Sequence, residues 1–296
     1  MSPITWPGCT ISHRPAGAAR IAALNVYPVK GCRGIALTEA DAEITGLASG
    51  ALRDREWMVI DREGRFVTQR EYPRLALIET ALAGNTLRLT APDCGALDVA
   101  LDDQHGVSRE VTVWRSRVRG FDQGDAAAAW LFAFLHADVR LVRFDPAATR
   151  RCNPDYVGDS GAHTLFSDGY PILVIGAASL EDLNVRLVAK GSPALPMNRF
   201  RPNVVIADLP PYDEDHLDTI TCGDVTLKLV KPCTRCQVTT TDQATARVGI
   251  EPLPTLSTYR RNDALAAVMF GMNAIVVAGA GRTLAVGAPA TFEYRF

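Results

Sequence analysis

Short β-favouring segments separated by turns, with few helices between them, most constrain how this chain can fold. Residues 86–90 and 110–114 alternate polar and apolar side chains, as half-buried strands do. The DREG sequence at 61–64 separates β-favouring residues 56–60 from residues 65–69 and predicts a hairpin, because glycine tolerates positive φ. No regular strand–helix–strand alternation of the βαβ type is visible. The sequence therefore predicts an α+β, strand-rich fold with barrel-like sheets.

Two segments have the features of helices. Residues 125–136 are rich in alanine, which favours helix. Ser179 can cap a second helix, which ends at Gly191. The apolar stripe of this helix consists of Leu180, Leu183 and Leu187. Further strands are predicted at residues 139–144, 171–175, 204–207, 225–230, 237–241, 274–278 and 290–294.

A polar stretch at residues 145–161, which contains proline, glycine and asparagine, predicts a domain boundary. We therefore divide the chain into two barrel-like domains, residues 18–150 and residues 151–296.

Composition is that of an ordinary globular protein, with 47% hydrophobic and 22% charged residues. A formal net charge of -2 gives no electrostatic reason to expect nucleic-acid binding. The longest apolar stretches, such as residues 274–280, are too short to cross a bilayer, and the N-terminus lacks the features of a signal peptide. Seven cysteines without regular spacing fit a reducing compartment. We therefore expect a cytoplasmic protein that binds neither nucleic acid nor membrane.

Two blocks, RFRPN at residues 199–203 and CTRCQVTT at residues 233–240, carry most of the chemical information. A thiolate is a soft metal ligand, and a guanidinium group suits a phosphate or another planar anion. If the first block is a strand, Arg199 and Arg201 point to the same side, because side-chain direction repeats every two residues. Together the blocks indicate a cofactor that carries both a metal and a phosphate.

The residues alone leave several interpretations of Cys233 and Cys236 open. A structural zinc site normally uses four ligands, yet the chain has no second CxxC. A thioredoxin-like dithiol lies at a helix N-terminus, whereas the β-branched residues 238–241 resist helix. Two buried apolar cysteines are the third interpretation. The positive charges of Lys231 and Arg235 favour a thiolate instead.

Four segments in order resemble the MOSC domain family, and more closely its amidoxime-reducing branch. They are residues 27–34 (YPVKGCRG), 52–57 (LRDREW), 166–171 (FSDGYP) and the CTRCQVTT block, and the RFRPN block shares the resemblance. The resemblance extends from about residue 21 to residue 294. It implies an N-terminal MOSC β-barrel domain followed by a MOSC domain, with the molybdenum cofactor (Mo-molybdopterin) as the bound group.

The resemblance also implies roles for individual residues. Cys236 corresponds to the molybdenum ligand and is the predicted catalytic residue. The predicted cofactor-binding residues are Lys30, Gly31, Arg55, Ser167, Asp168, Arg199, Arg201 and Asn203. The chain departs from the family pattern at Gly31, where serine is usual, and at residues 242–246 (DQATA), where Asp-Pro-x-Thr-Gly is usual.

The activity implied by the resemblance is two-electron reduction of N–O bonds in amidoximes, hydroxylamines or N-hydroxylated bases. No four-cysteine cluster motif and no dinucleotide-binding glycine motif occurs in the sequence. The electrons are therefore expected from a separate protein, such as a flavin reductase, a ferredoxin or a cytochrome. The alternative is a non-catalytic protein that carries or senses the molybdenum cofactor. A link to pyridoxal phosphate proteins also stays open.

Overall fold

The computed structural model of the protein describes residues 19–102 and 106–295. No helix in these two ranges is long and apolar enough to cross a membrane. The α-helices are α1 Gly124–Leu135, α2 Pro154–Val157, α3 Ala177–Ala189 and α4 Leu253–Ser257. Single 3₁₀ turns are formed by Pro73–Leu77, Met197–Arg199, Asp213–Asp215 and Gln237–Thr240. The strands are β1 Ala19–Val26, β2 Ile35–Leu37, β3 Glu39–Glu43, β4 Gly46–Ser49, β5 Leu52–Arg53, β6 Trp57–Ile60, β7 Glu79–Ala83, β8 Thr86–Ala91, β9 Cys94–Ala100, β10 Ser108–Val113, β11 Ser116–Asp122, β12 Arg140–Phe144, β13 Arg150–Arg151, β14 His163–Thr164, β15 Ile172–Gly176, β16 Val204–Ala207, β17 Leu217–Cys222, β18 Val225–Thr234, β19 Arg261–Asn262, β20 Ala267–Ala278, β21 Arg282–Ala285 and β22 Pro289–Tyr294.

A closed barrel is built from β15, β16, β1, β22, β17, β18 and β20 in that order, and β20 pairs with β15 to close the ring. All of these neighbours are antiparallel except β15 and β16. Closure satisfies strand edges that would otherwise be exposed. The interior is apolar and includes Leu24, Val174, Leu227 and Met272, each at most 1% exposed.

The second barrel-like unit is more open. Its largest sheet has the order β10-β11-β12-β6, and a separate meander is formed by β7, β8 and β9. The side chains of Trp57, Leu131 and Phe134 share one apolar core, which joins β6 to α1. The predicted turn at residues 61–64 follows β6, but residues 65–69 make only isolated bridges. The predicted α+β, strand-rich fold with two barrel-like domains is confirmed.

The chain passes between the two units near both ends of the sequence. β1 pairs with β16 and β22 of the closed barrel, although it comes from the predicted N-terminal domain. Conversely, β21 from the predicted C-terminal domain pairs with β3 from the predicted N-terminal domain. The division after residue 150 stays a prediction.

The structure differs from the prediction at residues 237–241, where a 3₁₀ turn replaces the expected strand. Thr239 Oγ1 donates to the Cys236 carbonyl at 3.0 Å, and Thr240 Oγ1 donates to the Gln237 carbonyl at 2.8 Å. Such local bonds offer threonine an alternative to a sheet ladder. The β-branched run therefore does not exclude a helical turn, and this argument against a dithiol was wrong.

Residues 199–203 do not form the strand on which the same-side argument for Arg199 and Arg201 was conditional. Arg199 ends a 3₁₀ turn, and Arg201 has a φ of 56°, in the left-handed region. Residue 202 is proline, whose ring disfavours the helical conformation for the residue before it. The two arginine side chains therefore do not share a direction through strand alternation.

The α3 helix begins at Ala177, and Ser179 does not cap it as predicted. The buried carboxylate of Glu214 lies at the start of this helix, where it accepts hydrogen bonds from Gly176 N at 3.0 Å and from Ser179 Oγ at 2.7 Å. Burial, and then the negative charge of Asp215, raise the pKa of Glu214 to about 7. The predicted apolar stripe of this helix is confirmed.

Replacement Glu214→Gln should remove a pH dependence of stability. The ordinary pKa of the carboxyl is 4.5, so its raised pKa in the fold means a contribution to stability that is complete below about pH 4 and lost as the pH rises through about 7. Between pH 5 and 8 we expect the wild-type free energy of unfolding to fall, relative to the variant, by up to about 3 kcal/mol in urea titrations. Glu293→Gln, at an exposed position, is the control. Parallel pH profiles of wild type and Glu214→Gln would contradict this role.

Candidate functional site

A cleft that opens to solvent is lined by residues from both barrel-like units. The structure brings together eight of the nine predicted site residues in this cleft. They are Lys30, Gly31, Arg55, Ser167, Asp168, Arg201, Asn203 and Cys236. The ninth, Arg199, is not part of the lining.

The cleft floor is organised by the buried carboxylate of Asp54, which is 1% exposed. It accepts hydrogen bonds from Tyr27 N at 2.9 Å and Asn203 Nδ2 at 2.7 Å, and from Arg55 Nη1. Burial raises the pKa of Asp54, while the Arg55 guanidinium lowers it. Asp54 thus orients Arg55 without itself lining the cleft.

Arg55 and Arg201 both lie against the ring of Tyr27. Their guanidinium carbons are 4.3 and 4.4 Å from its centroid. Burial lowers the pKa of Arg201 to about 10, so it is still charged at neutral pH. Its Nη2 is buried and has no hydrogen-bond partner within the described ranges. An unpaired buried donor is unfavourable, and an anionic oxygen is the partner that would satisfy it.

Lys30 reaches the cleft from the loop after β1. Its ammonium is 2.5 Å from Asp168 Oδ1 and 5.2 Å from the centroid of the Phe66 ring. Burial lowers the pKa of Lys30, and Asp168 opposes this shift. Desolvation raises the pKa of Asp168. The charge of Lys30 and the hydrogen bond from the Trp114 indole N–H outweigh this effect and hold that pKa well below its ordinary value. Asp168 is therefore an ionised carboxylate on the cleft wall.

The loop that carries Ser167 and Asp168 is held in shape by Arg150. This buried guanidinium donates to the backbone carbonyls of Leu165 at 3.0 Å, Asp168 at 2.7 Å and also Ser167. Ser167 Oγ is buried and finds no partner among the described residues. The loop thus offers an unused hydroxyl to the cleft.

The two cysteines of the CTRC segment differ in their surroundings. Cys236 is exposed and comes directly before the 3₁₀ turn, whereas Cys233 is half-buried and accepts a contact from Arg235 Nη1 at 2.9 Å. The structure matches neither a four-ligand zinc site nor a pair of buried apolar cysteines. Among the described residues, no group of three or more His, Cys, Asp or Glu side chains could hold a metal ion. A single exposed thiol suits a metal that arrives with other ligands of its own.

Asn203 lines the cleft, but its amide is used within the protein. Its Oδ1 accepts hydrogen bonds from Arg55 Nη1 and from Leu173 N, both at 3.1 Å. Arg199 donates to the Thr240 carbonyl and to Asp242, both at 2.9 Å, and so holds the segment that follows Cys236. Asn203 and Arg199 thus hold other parts of the site in position through hydrogen bonds within the protein. Their contact with a cofactor stays a prediction.

Gly31 has a φ of 85°, which a serine would adopt only with strain. Its carbonyl accepts a hydrogen bond from Gln69 Nε2 at 2.7 Å. This backbone shape explains why a glycine is accommodated where the family usually has serine.

Sequence reasoning missed several residues that line the cleft. Arg235, Arg70, Phe66 and Trp114 all contribute to its walls. Arg235 was noted only as a positive charge beside the thiols, although its place inside the CTRC segment could have identified it as a site residue. The other three come from loops with no motif around them.

Comparison with known proteins identifies the family. Residues 18–138 match the MOSC N-terminal beta barrel domain, and residues 162–291 match the MOSC domain. The chain belongs to the MOSC family. It is 39% identical to human mitochondrial amidoxime-reducing component 1 over 85% of this chain and 75% of that protein. It is 36% identical to human mitochondrial amidoxime reducing component 2, over 82% and 73%.

Among solved structures, the YuaD protein of Bacillus subtilis is similar at 11% identity and a TM-score of 0.42, over 95% of this chain and 99% of that one. This similarity is too slight to support an argument. Nothing in the comparisons or in the described site supports the link to pyridoxal phosphate.

Replacement Asp54→Ala should destabilise this MOSC protein strongly, because it leaves the Arg55 charge and the Asn203 amide without their buried partner. Breaking a buried ion pair from one side removes about 3–5 kcal/mol, and we expect a loss of this size in urea unfolding. Asp138→Ala, which breaks the exposed pair with Arg62, is the control and should change stability little. Equal effects of the two replacements would contradict the organising role of Asp54.

Proposed function

We propose that this protein is a molybdenum-cofactor-dependent reductase of N-hydroxylated compounds. The observation that carries the proposal is one exposed thiol, Cys236, in a cleft that also contains the unpaired buried donor of Arg201. A thiolate can complete the coordination of a soft metal, and a guanidinium can bind the phosphate attached to it. The relatives with the names quoted above are amidoxime-reducing components, which supports the same reaction class.

The residues present fit this cofactor. Arg201 and Arg55 would bind its phosphate, with Lys30 as a further positive charge. Ser167 Oγ and the backbone of its loop would contact the pterin, and Cys236 would ligate the metal. When bound, the cofactor would supply the two-electron redox chemistry, while the protein supplies position and electrostatics.

For an amidoxime, the reaction consumes two electrons and two protons, breaks the N–O bond, and yields an amidine and water. The electrons come from a separate donor, which we take to be a flavin reductase, a ferredoxin or a cytochrome. A cytoplasmic location, without nucleic-acid or membrane partners, stays a prediction, and the human relatives are named as mitochondrial.

The decisive experiment is reduction of benzamidoxime by protein produced with molybdenum cofactor, with a viologen as artificial donor. We expect turnover and close to one molybdenum per chain, and Cys236→Ser should abolish turnover and weaken metal retention. Cys233→Ser is the matched control with a milder effect, because Cys233 is held by Arg235. Full molybdenum loading without turnover would favour the carrier or sensor function. Zinc that depends on both cysteines would refute the metal assignment.

Replacement Arg201→Ala should weaken cofactor retention by roughly ten- to a hundredfold, because a hydrogen bond to a charged group contributes about 1.5–3 kcal/mol. The measurement is pterin content after gel filtration. Arg117→Ala, which removes an exposed guanidinium paired with Glu110, is the control. Unchanged pterin in the Arg201 variant would remove this residue from the binding site.

A further inference from the structure

The walls of the cleft include an aromatic and acidic subsite that the cofactor does not explain. We propose that Trp114 and Asp168 select the substrate: the indole stacks on a flat ring, and the carboxylate accepts an N–H from the amidine group beside the N–O bond. This inference rests on the proposed function and names the residues that would favour flat aryl amidoximes over alkyl ones.

Trp114 lies at the turn between β10 and β11 and lines the cleft. It is 47% exposed, so its ring is accessible to a ligand there. Its φ of 55° is a sparsely populated conformation for a bulky residue, which the surrounding structure must hold in place.

Neighbouring contacts fix the orientation of the Trp114 ring. The Phe66 ring centroid is 5.0 Å away at an interplanar angle of 60°, and the Arg70 guanidinium carbon lies 5.0 Å from the indole centroid. The indole N–H donates to Asp168 Oδ1 at 3.0 Å. The ring is therefore preorganised, which reduces the entropy lost when a flat ligand stacks on it.

Asp168 supplies the polar half of the subsite. Its side chain is 72% exposed although Oδ1 is bound by both Lys30 and Trp114. Within the described ranges, no hydrogen bond to Oδ2 is present, so this oxygen can accept from a ligand. An N–H of an amidine is a suitable donor, and the amidinium product carries a positive charge that the carboxylate attracts.

Electrostatics argue against a phosphate contact for the Asp168 side chain. A carboxylate repels a phosphate, whereas the lysine and arginine side chains that line the same cleft attract one. These cations are Lys30, Arg55, Arg70, Arg201 and Arg235. Backbone N–H groups of the same loop can still face the cofactor while the side chain faces the substrate. The aromatic pair Phe66 and Trp114 adds a surface that favours flat and cationic groups.

Binding of benzamidine to holo-protein, measured by isothermal titration calorimetry, tests the subsite without any turnover. We expect Trp114→Ala and Asp168→Asn each to weaken binding about tenfold, whereas Trp114→Phe retains most of it because a flat ring is kept. Asp138→Asn and Trp130→Phe, outside the cleft lining, are the matched controls and should bind as the wild type does. Molybdenum content, measured on every variant, distinguishes loss of the subsite from loss of cofactor.

Kinetics with a viologen donor provide the second measurement. Trp114→Ala should raise KM for benzamidoxime about tenfold and leave KM for acetamidoxime, which has no ring, unchanged; Asp168→Asn should raise both. Wild-type affinity for benzamidine in both variants, or no benzamidine binding by the wild type, overturns the subsite. Tight benzamidine binding that depends on both residues, without reduction of benzamidoxime, supports the subsite and refutes the reductase function instead.

Discussion

The buried carboxylate of Asp54 is the interaction on which the cleft depends. It joins Tyr27, directly after β1, to Asn203, directly before β16, and it holds Arg55 between them. Because an unpaired charge at this depth is strongly unfavourable, the three partners must be in place when the barrel closes. Asn203 extends the same network to Leu173 N in β15. One set of hydrogen bonds therefore links the β1, β16 and β15 side of the closed barrel to the orientation of Arg55.

A second consequence concerns charge. Arg55 and Arg201 lie against the same tyrosine ring, and their mutual repulsion adds to burial in lowering the pKa of Arg201. The fold tolerates this repulsion because Asp54 accepts from Arg55 Nη1, and because Arg55 Nη2 donates to the Arg201 backbone carbonyl at 3.4 Å. Sites that bind a charged ligand commonly accept such a loss of stability. Asp54 offsets part of this repulsion, and an anionic ligand beside Arg201 would offset more of it.

The local pattern of polar and apolar residues was enough to predict β8, β10 and α1, and also the apolar stripe of α3. Strand alternation and helical periodicity can be recognised within a short stretch of sequence. The local pattern was not enough for β1, whose partners β16 and β22 are far away in sequence. The left-handed conformation of Arg201 and the 3₁₀ turn after Cys236 were missed, since tertiary contacts and threonine hydroxyls override strand propensity there. Eight predicted site residues do meet in one cleft, but they were found by resemblance to a family. Trp114 has no motif around it, and only the fold reveals its position.

The two departures from the family pattern lie next to each other in space. Gln69 Nε2 donates to the Gly31 carbonyl, and the amides of Gln69 and Gln243 exchange hydrogen bonds of 3.0 and 2.9 Å. Gln243 takes the position of the proline usual in the family, and its Oε1 is 3.5 Å from Arg201 Nη1. A proline has no side-chain amide, so it could not make this exchange. The Gly31 carbonyl and the Gln243 side chain are therefore linked through Gln69 in one buried chain of hydrogen bonds that ends at Arg201. Of the two departures, only the glutamine supplies a side chain to this chain of bonds, because any residue at position 31 has the carbonyl.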